Sequence, residues 1–224
     1  MITYELKKSN RKTMSLKVDS SGKLIVYAPY FFTENKINEF VLSKENWIKK
    51  CQKEAFLTNE KYKTKDLKEG DFIYFLGEKY MLKFANVKAV EFVKKQQKYC
   101  ILPANYQKNT ENKLKTYMKK QAEWYLKDVL DSRAKILNLT YNSFRITYAR
   151  QKWGSCSSKK EIMLNFRLML CKEEIIEYVI THELVHLLEL NHGKNFYSRL
   201  NYYYPNSKDY IKWLKENSGI LNAY

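Results

Sequence analysis

Three histidines carry the most specific chemical signal in this 224-residue sequence. They are the whole histidine content of the chain, and His182, His186 and His192 fall within eleven consecutive residues. Imidazole nitrogens are among the commonest ligands of zinc and of related transition metals. A chain this poor in histidine therefore points to a metal site in its last third.

The spacing of the first two histidines suits a helical metal site. His182, Glu183 and His186 form an HExxH pattern. Residues four apart lie on one face of a helix, so both imidazoles can reach one ion at about 2.0–2.1 Å. Glu183 stands three residues before His186, and its carboxylate can reach a water on that ion. We predict His182 and His186 as metal ligands and Glu183 as the general base.

The third histidine requires a break in the chain. The apolar segment 172–190 predicts a buried helix, and six further helical residues would rotate His192 by about 240°, away from the ion. Asparagine tolerates the left-handed conformation, so we predict that the helix ends at Leu190-Asn191 and that His192 returns as the third ligand. Glu216 is the alternative third ligand. Three protein ligands leave one position for water, which is typical of catalytic zinc. We predict one Zn²⁺ per chain, and the spacing also admits other borderline metals.

These residues resemble a known family, the YgjP-like metallopeptidases, which are relatives of the SprT and WLM zinc proteases. The matching stretches are Lys152–Leu168, Tyr178–Phe196, the opening hairpin that ends in Ala28-Pro29, and Trp47-Ile48. The resemblance implies an α+β fold with a zincin-like core, in which a sheet packs on the metal-bearing helix. It also implies His182, His186 and His192 as ligands, Glu183 as catalytic base, and a protein or peptide substrate. The chain departs from the metzincins, since Glu189 replaces their glycine and no methionine follows Met169.

Hydrophobic periodicity predicts two regions. Residues 1–105 predict a β-rich accessory region with one helix, and residues 106–224 predict the zincin-like catalytic domain. The accessory region has hairpin patterns around Ser20–Lys23 and Gly77-Glu78, a third strand pair in 90–103, and a helix capped by Thr33. Residues 58–70 are polar and predict a connector.

The catalytic region begins with a predicted long helix over 109–137. Its expected buried stripe is Leu114, Tyr117, Met118, Trp124, Tyr125, Val129 and Leu130. Strands are predicted at 143–149 and 161–171, ahead of the metal-bearing helix.

Two further groups could belong to the site. Trp153–Cys156 is either an edge strand that borders the cleft, where a peptide could pair, or a packed tryptophan in a tight turn. Cys156 is disfavoured as a nucleophile because no histidine is left to activate it. One tyrosine of Tyr202–Tyr204 could donate a hydrogen bond to a developing oxyanion, although packing is the commoner role of such a cluster.

The charge of the chain indicates polyanion partners or a solvated lysine surface. Lysine and arginine number 41 against 24 acidic residues, a net charge of +17. The basic surface predicts weak association with nucleic acid or nucleotides. Two alternative functions follow: a metal-dependent nucleotide phosphohydrolase, and a nucleic-acid-binding protein with a vestigial metal site.

The remaining patterns concern location. The first ten residues lack the apolar core of a signal peptide, and no apolar run approaches the ~18 residues of a membrane helix. We therefore predict a cytoplasmic protein without membrane association. The four cysteines form no CxxC pair and predict reduced thiols.

Overall fold

A computed structural model describes residues 2–19, 21–61 and 67–222. Within these ranges the chain forms three separate sheets with helices packed against them, which confirms the predicted α+β class.

The first sheet and two helices form a unit with its own core. Its elements are β1 (Glu5–Ser9), β2 (Ser15–Val18), β3 (Leu24–Pro29), α1 (Glu34–Ser43) and α2 (Glu45–Lys61). The strand order is β1-β3-β2, and the predicted β2–β3 hairpin is confirmed. Ser20 of its turn lies outside the described residues. The fully buried residues of this core are Leu24, Val26, Ala28, Ile37, Val41 and Ile48.

The single helix predicted after Thr33 is two helices. The Thr33 side chain accepts a hydrogen bond from the Lys36 N–H at 3.4 Å, as expected of an N-cap. Lys44 then leaves helical geometry at φ −112° and ψ 13°. The hydroxyl of Ser43 donates to the Phe40 carbonyl at 2.7 Å, a local bond of the kind that competes with helix continuation. The connector predicted over 58–70 starts inside α2, and 62–66 lie outside the described residues.

The second sheet contains the other two predicted hairpins. Its strands are β4 (Phe72–Phe75), β5 (Glu78–Ala85), β6 (Glu91–Lys94) and β7 (Lys98–Pro103), in the order β4-β5-β7-β6. Leu76 and Gly77 both have positive φ, 48° and 74°, as a two-residue hairpin turn requires. The inner face of this sheet belongs to the same core as the C-terminal helices. The division of the chain near residue 105 stays a prediction.

A long helix, α3 (Thr110–Leu137), crosses the main core within one residue of its predicted bounds. It ends at Asn138, which adopts the left-handed conformation at φ 52°. Trp124 is 74% exposed, so its predicted burial is wrong. The buried row instead includes Ala122, two residues and about 200° away on the helix.

The third sheet supports the histidine helix. The remaining elements are β8 (Ser143–Thr147), β9 (Gly154–Cys156), β10 (Glu161–Asn165), α4 (Glu173–Val185), α5 (Lys194–Tyr203) and α6 (Ser207–Glu216). The strand order is β8-β10-β9, which leaves β9 at an edge, and α4 packs on β9 and β10. The strand predicted over 161–171 ends at Asn165, whose side chain caps a 3₁₀ helix, Phe166–Leu170.

One arrangement recurs in all three sheets. Three consecutive strands form one unit, in which the third strand lies in the middle. The first strand pairs with it in parallel, and the second strand pairs with its other side in the antiparallel direction. The partners β3, β7 and β10 are therefore interior strands, and β2, β6 and β9 lie at edges.

Two expectations about location and redox state concern the whole chain. Within the described residues, no helix combines the length and the apolar character needed to cross a membrane. The predicted cytoplasmic location stays a prediction. All four cysteines are free, and Cys100 and Cys171 are buried.

Candidate metal centre

The helix α4 presents two histidines on one face and ends earlier than predicted. Its last residue is Val185, and His186 is its C-cap. Asn191 does not have a positive φ, so the left-handed break predicted there is wrong. The chain turns directly after the second histidine, which is why the third histidine can return without a cap at Asn191.

The three histidine side chains converge. The Nε2 atom of His192 lies 3.0 Å from Nε2 of His182 and 3.2 Å from Nε2 of His186. A tetrahedral zinc ion with nitrogens at 2.0–2.1 Å would space them about 3.3 Å apart. In the described residues this is the sole group of three metal-binding side chains, and Glu216 lies outside it, 4.0 Å from Lys212. The residues present therefore fit one tetrahedral ion.

The imidazoles are held in the form that binds metals. The Glu189 carbonyl lies 2.9 Å from Nδ1 of His186. A carbonyl only accepts, so the proton sits on Nδ1 and the Nε2 lone pair faces the cluster. Burial, followed by the charges of the other two histidines, lowers the pKa of His182 to about 3, and burial also lowers the pKa of His186. Both rings are neutral at physiological pH.

A buried phenylalanine supports all three rings. Phe196 of α5 is fully buried, and its centroid lies 4.9, 4.5 and 4.7 Å from those of His182, His186 and His192. The ring fixes the spacing of the cluster by packing. The sequence places Phe196 four residues after His192, but nothing in that spacing alone predicts its contact with all three rings.

The carboxyl group of Glu183 is buried beside the edge strand β9. Burial raises the pKa of Glu183 to about 8, and the charge of Lys152 acts in the opposite direction. A Cβ atom added to Gly154 would lie only 2.8 Å from Oε1 of Glu183. The backbone of β9 thus passes along the carboxylate. Of the two interpretations of Trp153–Cys156, the structure supports the edge strand that borders a cleft.

That cleft is a pocket of about 360 Å³ next to His182 and Glu183. Trp153 forms one wall, and Ile211 and Leu214 of α6 form part of the other. A pocket of this size and apolar character suits a substrate side chain.

A tyrosine that the sequence analysis missed also lines this pocket. Tyr178 stands one helical turn before His182, and its buried hydroxyl has no hydrogen-bond partner among the described residues. Burial raises the pKa of Tyr178 to about 12, so the hydroxyl keeps its proton. The predicted tyrosines lie differently: Tyr202 is 82% exposed, and the Tyr204 hydroxyl donates to Glu177 at 3.3 Å.

Two buried polar residues hold the loop before β9. The Asn165 amide donates to the carbonyls of Ala149 and Lys152 at 2.6 and 2.8 Å. A guanidinium nitrogen of Arg167 donates to the Tyr148 carbonyl at 3.3 Å. Both residues are polar and interrupt an otherwise apolar stretch of sequence. A buried polar side chain needs hydrogen-bond partners, so this pattern could have predicted that they bind backbone groups.

Comparison with known proteins gives one match over most of the chain. The sequence profile of the YgjP-like family, metallopeptidase domain, matches residues 12–217. No curated protein matches the sequence.

Two solved structures of metallopeptidase zymogens are similar to parts of the chain. Abylysin from Pyrococcus abyssi is 22% identical, with a TM-score of 0.37, over 41% of this chain and 93% of its own. Jannalysin from Methanocaldococcus jannaschii is 31% identical, with a TM-score of 0.35, over 39% of this chain and 90% of its own.

Proposed function

The chain belongs to the YgjP-like family of metallopeptidases, and on that premise we propose that it is a zinc-dependent peptidase. The observation that carries the proposal is the convergence of three Nε2 atoms beside a buried glutamate. His182, His186 and His192 would hold one zinc ion and leave a position open to water and substrate. When bound, zinc polarises the target carbonyl and lowers the pKa of its water.

Glu183 is the proposed general base. Its carboxylate takes a proton from the attacking water and passes it to the nitrogen of the leaving amine. Burial raises the pKa of this group, and a neighbouring cation lowers it again. The two effects together bring the pKa toward the operating pH, where proton transfer in both directions is efficient.

The edge strand β9 is the proposed docking site of the peptide backbone. Within the described chain, β9 pairs with β10 on one side only, so its other side offers free N–H and C=O groups. A peptide that pairs there as an added strand runs past Glu183, because the Gly154 backbone lies against that carboxylate. Its scissile carbonyl is thereby brought to the histidine cluster.

The test is a pair of matched substitutions on α4. Glu183→Gln keeps the side-chain shape but cannot accept the proton, so it should retain zinc and lose turnover by about 10²–10⁴-fold. The exposed Glu174, on the same helix, provides the control variant Glu174→Gln. Hydrolysis of an unfolded protein and of a nucleotide panel is measured with zinc-loaded protein. Undiminished peptide hydrolysis by Glu183→Gln would refute the mechanism, and hydrolysis of nucleotides alone would favour the phosphohydrolase.

A separate proposal concerns the basic surface. The net charge of +17 supports weak, sequence-independent binding to nucleic acid. Fluorescence anisotropy with single- and double-stranded probes at about 0.15 M salt tests it. Saturable binding that weakens steeply with salt is expected, and its absence would leave the charge as a solvated surface.

A further inference from the structure

A groove leads away from the histidine cluster past the loop before β9. The pocket beside Glu183 adjoins a second pocket of about 340 Å³, and the two share Gln151, Ser218 and Leu221. The second pocket reaches the β2–β3 hairpin of the first sheet. A single groove therefore runs from the metal-binding side chains to a different part of the fold.

Cations line this groove from three separate elements. We define the basic rim as Lys17 of β2, Arg150 and Lys152 of the loop before β9, and Lys215 of α6. All four are exposed, and none forms an ion pair with another described residue. Asn165 holds the loop that carries two of them through the carbonyls of Ala149 and Lys152. The backbone that carries these two cations is therefore held in place.

The four cations of the rim outnumber the two acidic residues that line the groove. Glu183 lies at the metal end and is buried. Asp19 lines the second pocket, but its Oδ1 accepts hydrogen bonds from the Ser21 N–H, the Ser21 hydroxyl and the Lys23 N–H at 2.9, 2.6 and 3.0 Å. Hydrogen bonds from neutral donors favour the ionised carboxylate, so Asp19 keeps its negative charge and offsets one cation of the rim. The groove still has an excess of positive charge, and a cleft with such an excess concentrates ligands of the opposite sign.

We propose that this groove selects acidic peptides, with an apolar residue beside the scissile bond and Asp or Glu side chains further along. The proposal rests on the peptidase function proposed above. The pocket beside Glu183 is walled by Trp153, Ile211 and Leu214 and suits an apolar side chain. Lys152 and Lys215 line that same pocket, and Lys17 and Arg150 line the second one, so carboxylates can bind along the groove next to the apolar side chain. The open edge of β9 pairs with a peptide backbone, which favours a peptide over a polyphosphate for this groove.

The expected preference follows from the exposure of the rim. Each exposed ion pair contributes about 0.2–1 kcal/mol. Two such contacts give a roughly two- to thirtyfold preference in kcat/KM for an acidic peptide over a neutral one. The preference should decline toward unity at about 1 M salt, where the screening length is about 3 Å.

The experiment uses three quenched-fluorescence peptides that share their length and central apolar residue and carry Glu, Gln or Lys at the flanking positions. The zinc-loaded full chain is compared with the double variant Arg150→Glu/Lys215→Glu. Lys208→Glu is the control, since Lys208 is an exposed residue of α6 outside this groove. We expect the wild type and the control to prefer the Glu peptide. The double variant should lose that preference, because two cations and two carboxylates then offset one another in the rim, and a double variant that keeps the full preference would overturn the inference.

The possible results distinguish a failure of this inference from a failure of the proposed peptidase function. Equal kcat/KM values for the three peptides would overturn the acidic selectivity while the peptidase function stands. Cleavage of none of the peptides, with hydrolysis of a nucleoside triphosphate instead, would overturn both. Binding of the uncleaved Glu peptide to Glu183→Gln, followed by anisotropy, gives a second measurement: salt-sensitive binding supports the inference, and binding as weak as that of the Gln peptide contradicts it.

Discussion

The contact between Gly154 and Glu183 allows catalysis to be perturbed without touching a metal ligand. In Gly154→Ala the new Cβ would lie 2.8 Å from Oε1 and 2.9 Å from Cγ of Glu183. Ordinary contact begins near 3.4 Å, so the glutamate side chain must move by about 0.6 Å. The Gly154 backbone does not have a positive φ, so alanine adds no backbone strain there.

The magnitude follows from that displacement. A misplacement of about 1 Å in an active site can cost about 10²-fold in rate. On the same logarithmic scale, 0.6 Å corresponds to a roughly ten- to twentyfold loss of kcat. Zinc content should stay at the wild-type value, because the three atoms nearest to the new methyl group all belong to Glu183 and none belongs to a histidine.

The assay is peptide hydrolysis by zinc-loaded protein, with elemental analysis on the same samples. Gly193→Ala is the matched control: Gly193 adjoins His192, its φ of −82° is ordinary, and an added Cβ meets nothing within 4 Å. Adding Gly154→Ala to Glu183→Gln should cause no further loss, since the effect acts through that carboxylate. A wild-type kcat in Gly154→Ala, or a loss of zinc, would refute this reasoning.

Three other predictions concern the metal, the packing and the pH response. His192→Ala should lower the zinc content to a small fraction of the wild-type value by elemental analysis, and full retention would remove this residue from the ligand set. Gly219→Ala would place a Cβ 2.8 Å from Cγ2 of Thr58 and should destabilise the fold by about 1–3 kcal/mol in urea unfolding. The added change Thr58→Ser removes that methyl group and should restore part of the loss, so additive effects would contradict the contact. Hydrogen bonds from Lys94 and Lys98 lower the pKa of Glu78 from 4.5 to about 2. Its stabilising contribution is therefore present above pH 4.5 and lost as the pH falls toward 2. Glu78→Gln should accordingly lower Tm near pH 6 but not near pH 2, and an equal Tm difference at both values would contradict the linkage.

The sequence predicts the chemistry of the site better than the ends of its elements. The spacing of His182 and His186 is a property of any helix, so their shared face follows from two residues alone. The end of the helix at Val185 could not be predicted in this way. The residues after Val185 keep an apolar helical pattern, which the tertiary structure overrides. Trp124 shows the same limit: its size and apolar character suggest burial, whereas the structure leaves it exposed and buries Ala122.

Features that join distant parts of the chain carry no local pattern. The alternation of apolar residues predicts β2 and β3 as a hairpin, but nothing in it predicts that β1 pairs in parallel with β3. The basic rim joins Lys17 to Lys215, and only the folded chain brings such residues to one groove. Asn165 and Arg167 did offer a signal, as polar residues within an apolar stretch, and their partners are backbone carbonyls.

The strand order has a consequence for synthesis of the chain. In each sheet of the described residues, both edge strands precede the strand with which they pair. Each edge strand therefore leaves the ribosome before its partner does and remains unpaired until the partner emerges. For β9 the delay lasts only until β10 emerges, but β1 must await β3 to form a parallel pair, which is a slow kind of contact. The strand that borders Glu183 can thus pair only when Asn165 has left the ribosome, shortly before the histidine helix emerges.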